Sequence, residues 1–119
     1  MTANKAIEII DAAKPNAYDE EDKFRHLNEL EGMIQRTVFQ RNEDEMVKMV
    51  YPDDMDKELL VPFPYDEIYP MYLSAKIDYA NREYANYNNS AMNFNDRFGE
   101  YKKLYIMEHM PNSAGGFKL

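Results

Sequence analysis

The chain has 119 residues, no cysteine, and a formal net charge of −8 from 22 acidic against 14 basic residues. That length supports one domain with a single core. The missing thiols exclude a disulfide framework, a cysteine nucleophile and a Cys-ligated metal, and the acidity disfavours a surface built to neutralise a phosphate backbone.

In chain order, Thr2 is placed to cap a first helix running to Lys14, with Ala6, Ile9, Ile10 and Ala13 on its apolar face and Pro15 as its stop. Acidic side chains inside this opening pattern argue against a secretory signal, and no apolar run approaches the roughly 20 residues of a membrane helix. A cytosolic, reducing location is the expectation. Asp19 is placed to cap a second helix reaching Gln40, with Glu20, Glu21 and Asp22 in its first turn, where negative charge favours the helix dipole. Its apolar face is Phe24, Leu27, Leu30, Ile34 and Val38, and Gly32 marks a close helix contact.

The helical period fades over residues 42–64. Asn42-Glu43-Asp44-Glu45 is a charged turn, Met46, Val47, Met49, Val50 and Tyr51 suit a strand or a last helical turn, and Pro52-Asp53-Asp54 signals another turn. Leu59-Leu60-Val61 then precedes Pro62 and Pro64, which impose extended backbone. This predicts an extended or β-hairpin arm whose open edges suit pairing with a neighbouring chain.

Beyond it, Leu73, Ile77, Ala80, Tyr84, Tyr87, Ala91, Phe94, Phe98, Tyr101 and Tyr105 recur at three- and four-residue steps. The spacing predicts one long helix from Asp66, as its cap, to Glu108. Such a helix is about 60 Å long at 1.5 Å per residue, longer than a small domain is wide, so it must protrude, kink or be covered by other subunits. The asparagine-rich patch Asn86 to Asn95 keeps the stripe in phase, which favours continuity through Asn88-Ser90. Pro111 closes a single helical domain over residues 1–111, and residues 112–119 read as a flexible tail with an apolar tip.

No catalytic motif is present. His26 and His109 stand alone on polar positions, the acidic clusters lack the ligand spacing of a calcium loop, and four glycines form no phosphate cradle. No cofactor or metal is expected. Tyr84, Phe94 and Phe98 read as core, because aromatic a and d positions suit a two-stranded zipper poorly. The interface candidates are Tyr51, Leu59, Leu60 and Val61 on the arm, Tyr69, Tyr72 and Tyr79 off the stripe, and Gly115, Gly116, Phe117 and Leu119 in the tail.

Several strings carry a resemblance. Lys23-Phe24-Arg25-His26-Leu27-Asn28-Glu29-Leu30-Glu31-Gly32-Met33-Ile34, Leu59-Leu60-Val61-Pro62-Phe63-Pro64-Tyr65-Asp66-Glu67-Ile68-Tyr69 and Ile77-Asp78-Tyr79-Ala80-Asn81-Arg82-Glu83 are three of them. Tyr87-Asn88-Asn89-Ser90-Ala91-Met92-Asn93-Phe94-Asn95 and His109-Met110-Pro111 continue the series. The chain resembles small virion proteins of tailed phages and prophages of the head–tail connector, or neck adaptor, kind. The resemblance implies an all-α, non-enzymatic subunit in a homo-oligomeric ring, commonly of twelve copies. Its partners would be the portal protein and a tail or second neck ring protein, with genomic DNA passing nearby without specific binding and no membrane contact. Its place would be the virion neck, after assembly in the host cytoplasm. The rival expectation is a small acidic protein-binding module that sequesters a host or regulatory protein.

Overall fold

A computed structural model describes residues 1–109; the tail candidates Gly115, Gly116, Phe117 and Leu119 lie outside the described residues. Within them the chain is all-α. Helices α1 (Ala3–Ala13), α2 (Glu20–Thr37), α3 (Ile68–Ala80) and α4 (Tyr84–His109) are joined by loops that hold short 3₁₀ turns at Glu43–Glu45 and Tyr65–Glu67.

Helix α3 is the centre of the fold. It packs against α1, α2 and α4, and its buried residues Ile68, Tyr69, Tyr72, Leu73, Ala75, Ile77 and Asp78 lie all round the helix. A helix apolar on every side belongs between layers. On one side of it α2 buries all five residues of its expected face, Phe24, Leu27, Leu30, Ile34 and Val38. Thr2 caps α1, its Oγ1 accepting the Lys5 N–H at 3.0 Å. The buried face of α1 is Ala3, Ala6, Ile7 and Ile10; it shares Ala6 and Ile10 with the expected set, while Ile9 is half-buried and Ala13 exposed.

The expected single helix from Asp66 to Glu108 is two helices. Asp66 sits in a 3₁₀ turn, and α3 stops at Ala80. The turn is made by Arg82 in the left-handed region at φ 61°, with the Arg82 N–H donating to the Tyr79 carbonyl at 3.0 Å and the Glu83 N–H to the Asp78 carbonyl at 2.9 Å. Side-chain pairs then run in opposite directions along the two helices. Tyr79 meets Tyr87 at 5.3 Å, Tyr72 meets Phe94 at 5.1 Å and Tyr65 meets Tyr101 at 5.6 Å between ring centroids. This is an antiparallel helical hairpin. An in-phase apolar stripe is satisfied as well by folding onto itself as by staying straight, so the period could not reveal the turn. Helix α4 does continue through Asn88-Ser90. Of the three stripe residues read as core, Phe94 is buried and Phe98 half-buried, whereas Tyr84 at the hairpin turn is 54% exposed.

The expected β-hairpin arm is also absent among the described residues, where the one bridge is an isolated antiparallel pair between Thr2 and Glu58. Residues 46–61 instead form a strap across α2. At Val47, Met49, Leu60 and Val61 its backbone groups find partners in side chains, while the Leu59 N–H donates to the Met1 carbonyl and the Met55 carbonyl accepts the Asn4 N–H.

Candidate functional site

The strap is held by three polar residues of α2 at i, i+3 and i+7, a spacing that keeps them on one face. The Asn28 amide donates to the Met49 carbonyl and accepts the Met49 N–H, both at 3.0 Å. Gln35 does the same for Val47, both bonds at 2.8 Å, and its oxygen also accepts from Arg41 at 2.8 Å. Val47 and Met49 are two apart, so an extended backbone turns both toward α2. Each amide thus does what a neighbouring strand would have done.

Between them lies Glu31, which is buried. One carboxylate oxygen accepts the Leu60 N–H at 2.9 Å and the other accepts the Tyr69 hydroxyl. The Tyr69 oxygen in turn accepts the Val61 N–H at 2.9 Å. Burial pushes the Glu31 carboxyl above its ordinary range, against the bonds from Tyr69 and Leu60 that favour its charged form. Burial, followed by the neighbouring carboxylate, pushes the Tyr69 hydroxyl well above the usual phenol range. A second buried carboxylate, Asp78, accepts from Lys14 and from the Ser90 hydroxyl at 2.6 Å, tying α1 and α4 to α3.

These networks decide where the interface candidates lie. Tyr69 is fully buried with its hydroxyl satisfied, and Tyr72 packs on Phe94 in the α3–α4 seam. Leu59 and Val61 are interior and Leu60 is half-buried. Tyr51 rests its ring on Phe24 at 5.4 Å and donates to Glu20 at 2.8 Å. Tyr79, 55% exposed, is the surface member of the set, at the hairpin turn beside Tyr84 and Tyr87. Sequence reading passed over Phe63, which stands 84% exposed between Pro62 and Pro64. An aromatic residue flanked by two prolines, neither able to extend a ladder, was the signal for a projecting tip.

Two shallow grooves flank α2, one of them, about 410 Å³, lying open beside the strap between Arg25, Glu29, Gly32, Met46 and Lys48. The other, of about 220 Å³, lies between α2 and α3, lined by Tyr18, Lys23, His26, Lys76 and Ile77 among others. Lys23 donates to Asp11 at 2.7 Å, His26 Nδ1 meets Glu29 at 2.9 Å, and the Lys76 ammonium sits 5.1 Å from the centre of the Tyr72 ring. His109 lies elsewhere, stacked on Tyr105 with its ring nitrogen 2.9 Å from that residue's carbonyl. Among the described residues no three His, Asp or Glu side chains converge to hold a metal ion. Nor is any helix there long and apolar enough to cross a membrane. Among the described residues the surface offers apolar side chains in separate places: Met33 on α2, Val47, Val50 and Phe63 on and just after the strap, and Tyr79, Tyr84, Met92 and Met107 on the hairpin. Compared with known proteins, the chain matches no family model, no curated protein and no solved structure.

Proposed function

We propose that this chain is a structural subunit of a tailed-phage neck, a head–tail adaptor that closes a ring beneath the portal and lines the DNA exit channel. One observation carries the reading: exposed apolar side chains occur in several unlike places, among them Val47, Val50 and Phe63 along the strap segment and Tyr79 with Tyr84 at the hairpin turn. A subunit in a closed ring needs two different contact surfaces, one for each neighbour. Scattered single apolar residues are ordinary, whereas an aromatic as open as Phe63, fixed between prolines, fits insertion into a partner. The excess of acid also fits, since a wall that repels phosphate lets a genome slide past it. In this reading Gly115–Leu119 reaches the portal, and the ring above or below seats on the strap side. The rival reading, an acidic module that sequesters a protein by mimicking the charge of DNA, would want carboxylates in spaced rows, whereas Glu20, Glu21 and Asp22 crowd the first turn of α2 and Glu43, Asp44 and Glu45 a 3₁₀ turn.

The test is stoichiometric. Purified particles, or portal–tail complexes, should contain the chain at a fixed multiple of the portal. Deleting Gly115–Leu119 should leave a folded subunit that no longer binds the portal in a pull-down. Absence from assembled particles would overturn the assignment.

A further inference from the structure

Helix α4 is bound on one face only. Tyr87, Ser90, Phe94 and Tyr101 point at α3 and the turn before it. At 100° per residue, the opposite face is a stripe of Ala85, Met92, Asp96, Gly99, Lys103 and Met107. All six are exposed, with Met92 at 60% and Met107 at 63%.

Three features of this stripe have no purpose inside the subunit. Two methionines lie open to solvent. The ion pairs of α4 among the described residues are both made by Arg97, with Glu67 and Glu100, so Asp96 and Lys103 face outward uncompensated. A side chain at Gly99 would meet nothing within 4 Å, although glycine in an exposed helix interior costs about 0.5–1 kcal/mol relative to alanine. Nothing in the fold itself requires that glycine.

We propose that this face pairs with the same face of a second copy, antiparallel, about a two-fold axis between Gly99 and Glu100. Positions equidistant from that axis oppose one another. Met92 then packs on Met107 of the second copy, and Asp96 meets Lys103 of the second copy, each contact occurring twice. Gly99 lies at the axis, where two helices approach most closely and a Cβ is least welcome. The stripe is self-complementary in both apolarity and charge, which an isologous contact demands. A parallel pairing would set Asp96 on Asp96 and Lys103 on Lys103. Glu100 is the like-charged neighbour at the axis, and Arg97, 3.6 Å from it, offsets that charge. The flanking Asn88, Asn89, Asn93 and Asn95 are neutral. A single helix pair is a small interface and the net charge of each copy opposes it, so the dimer belongs to the weak, reversible class. The pairing does not depend on the neck reading, and its test uses the free subunit alone.

Sedimentation of the full chain should show a concentration-dependent monomer–dimer equilibrium. Asp96→Lys and Lys103→Asp should each weaken the dimer by about tenfold or more, and combining both should restore it, with helicity unchanged throughout. Because the chain has no cysteine, oxidative cross-linking gives the direction. A mixture of Met92→Cys and Met107→Cys chains should form the mixed disulfide, whereas Met92→Cys alone should not, its two copies lying about 22 Å apart along the axis. A strictly monomeric chain, a dimer indifferent to both charge reversals, or efficient self-cross-linking of Met92→Cys would each overturn the pairing.

Discussion

Removing the carboxylate of Glu31 is the sharpest test of how the strap is held. Glu31→Ala leaves two donors without acceptors: the Leu60 N–H and the hydroxyl of Tyr69, whose ring is fully buried. An orphaned buried donor costs about 1–3 kcal/mol, and truncation also leaves space that the core fills only in part. The expected loss is therefore about 3–5 kcal/mol, a large share of the 5–15 kcal/mol typical of a domain. At this chain length that is a fall in Tm of about 10–20 °C. Glu31→Gln keeps the shape and removes the charge, at the expense of one mismatched hydrogen. Here pH separates the contributions. Burial raises the native carboxyl above its unfolded value, so the protonated form is the better native form. The associated stability is present below the unfolded pKa and is lost as pH rises through the folded one. The Gln variant has no such loss. Its Tm relative to wild type should improve between pH 4 and pH 7.5, read by parallel thermal unfolding followed by circular dichroism. An Ala variant within 1 kcal/mol of wild type, or a Gln variant that loses ground as pH rises, would refute the reasoning.

The remaining expectations concern the strap, the hairpin turn and the exposed tip. Asn28→Ala and Gln35→Ala should cost about 1–2 kcal/mol each. Hydrogen exchange at the Met49 and Val47 amides respectively should accelerate at least about tenfold, while the Leu60 and Val61 amides keep their protection. Arg82→Gly should raise stability by about 0.5–1 kcal/mol, because φ 61° strains an ordinary residue and not glycine; a straight helix through this point would lose stability instead, and urea unfolding tells the two apart. Phe63→Ser should shift unfolding by less than about 0.5 kcal/mol, as an exposed side chain should, and in the neck reading it should weaken capture by purified neck components.

How much of this was legible in the residues depended on whether the partner of each segment was local. The α2 face followed from periodicity alone, because a helix facing a core repeats every 3.6 residues whatever lies opposite. The strap failed because its partners are side chains distant in sequence. Met46 to Val50 is extended, and an extended segment is ordinarily paired with a strand; here the pairing groups are the amides of Asn28 and Gln35, which a hydropathy pattern counts as surface. Their spacing with Glu31, three polar residues at i, i+3 and i+7 beside a buried stripe, was visible, but only the strap explains it. The hairpin turn was hidden differently: Asn81-Arg82-Glu83 contains no glycine or proline, and the stripe stays in phase across it. Tyr69 and Tyr72 were assigned outward because tyrosine favours interfaces, yet each hydroxyl-bearing ring can equally be used inward where a carboxylate such as Glu31 or a ring such as Phe94 waits for it.

Helix α4 joins the rest of the fold along one side only, and that bears on what the molecule can do. The apolar core of α1, α2 and α3 takes in Phe94 and Tyr101 of α4 as well, and charge-assisted bonds at Glu31 and Asp78 brace it. Helix α4 hangs on one face of α3 through an aromatic seam, with Ser90 and Arg97 as its polar ties. At 26 residues it is about 39 Å long, three-quarters of the 52 Å longest dimension of the described chain. A long helix held on one side, with its free side bearing two methionines, the outward charges of Asp96 and Lys103 and a glycine that intrachain packing leaves unexplained, adds one straight edge to the exposed residues of the strap and the hairpin turn. Any ring or pair built from this subunit must either cover that edge or leave two methionines per copy in water. The oligomeric behaviour of Met92 and Met107 variants therefore bears more directly on the assembly than any change in the core.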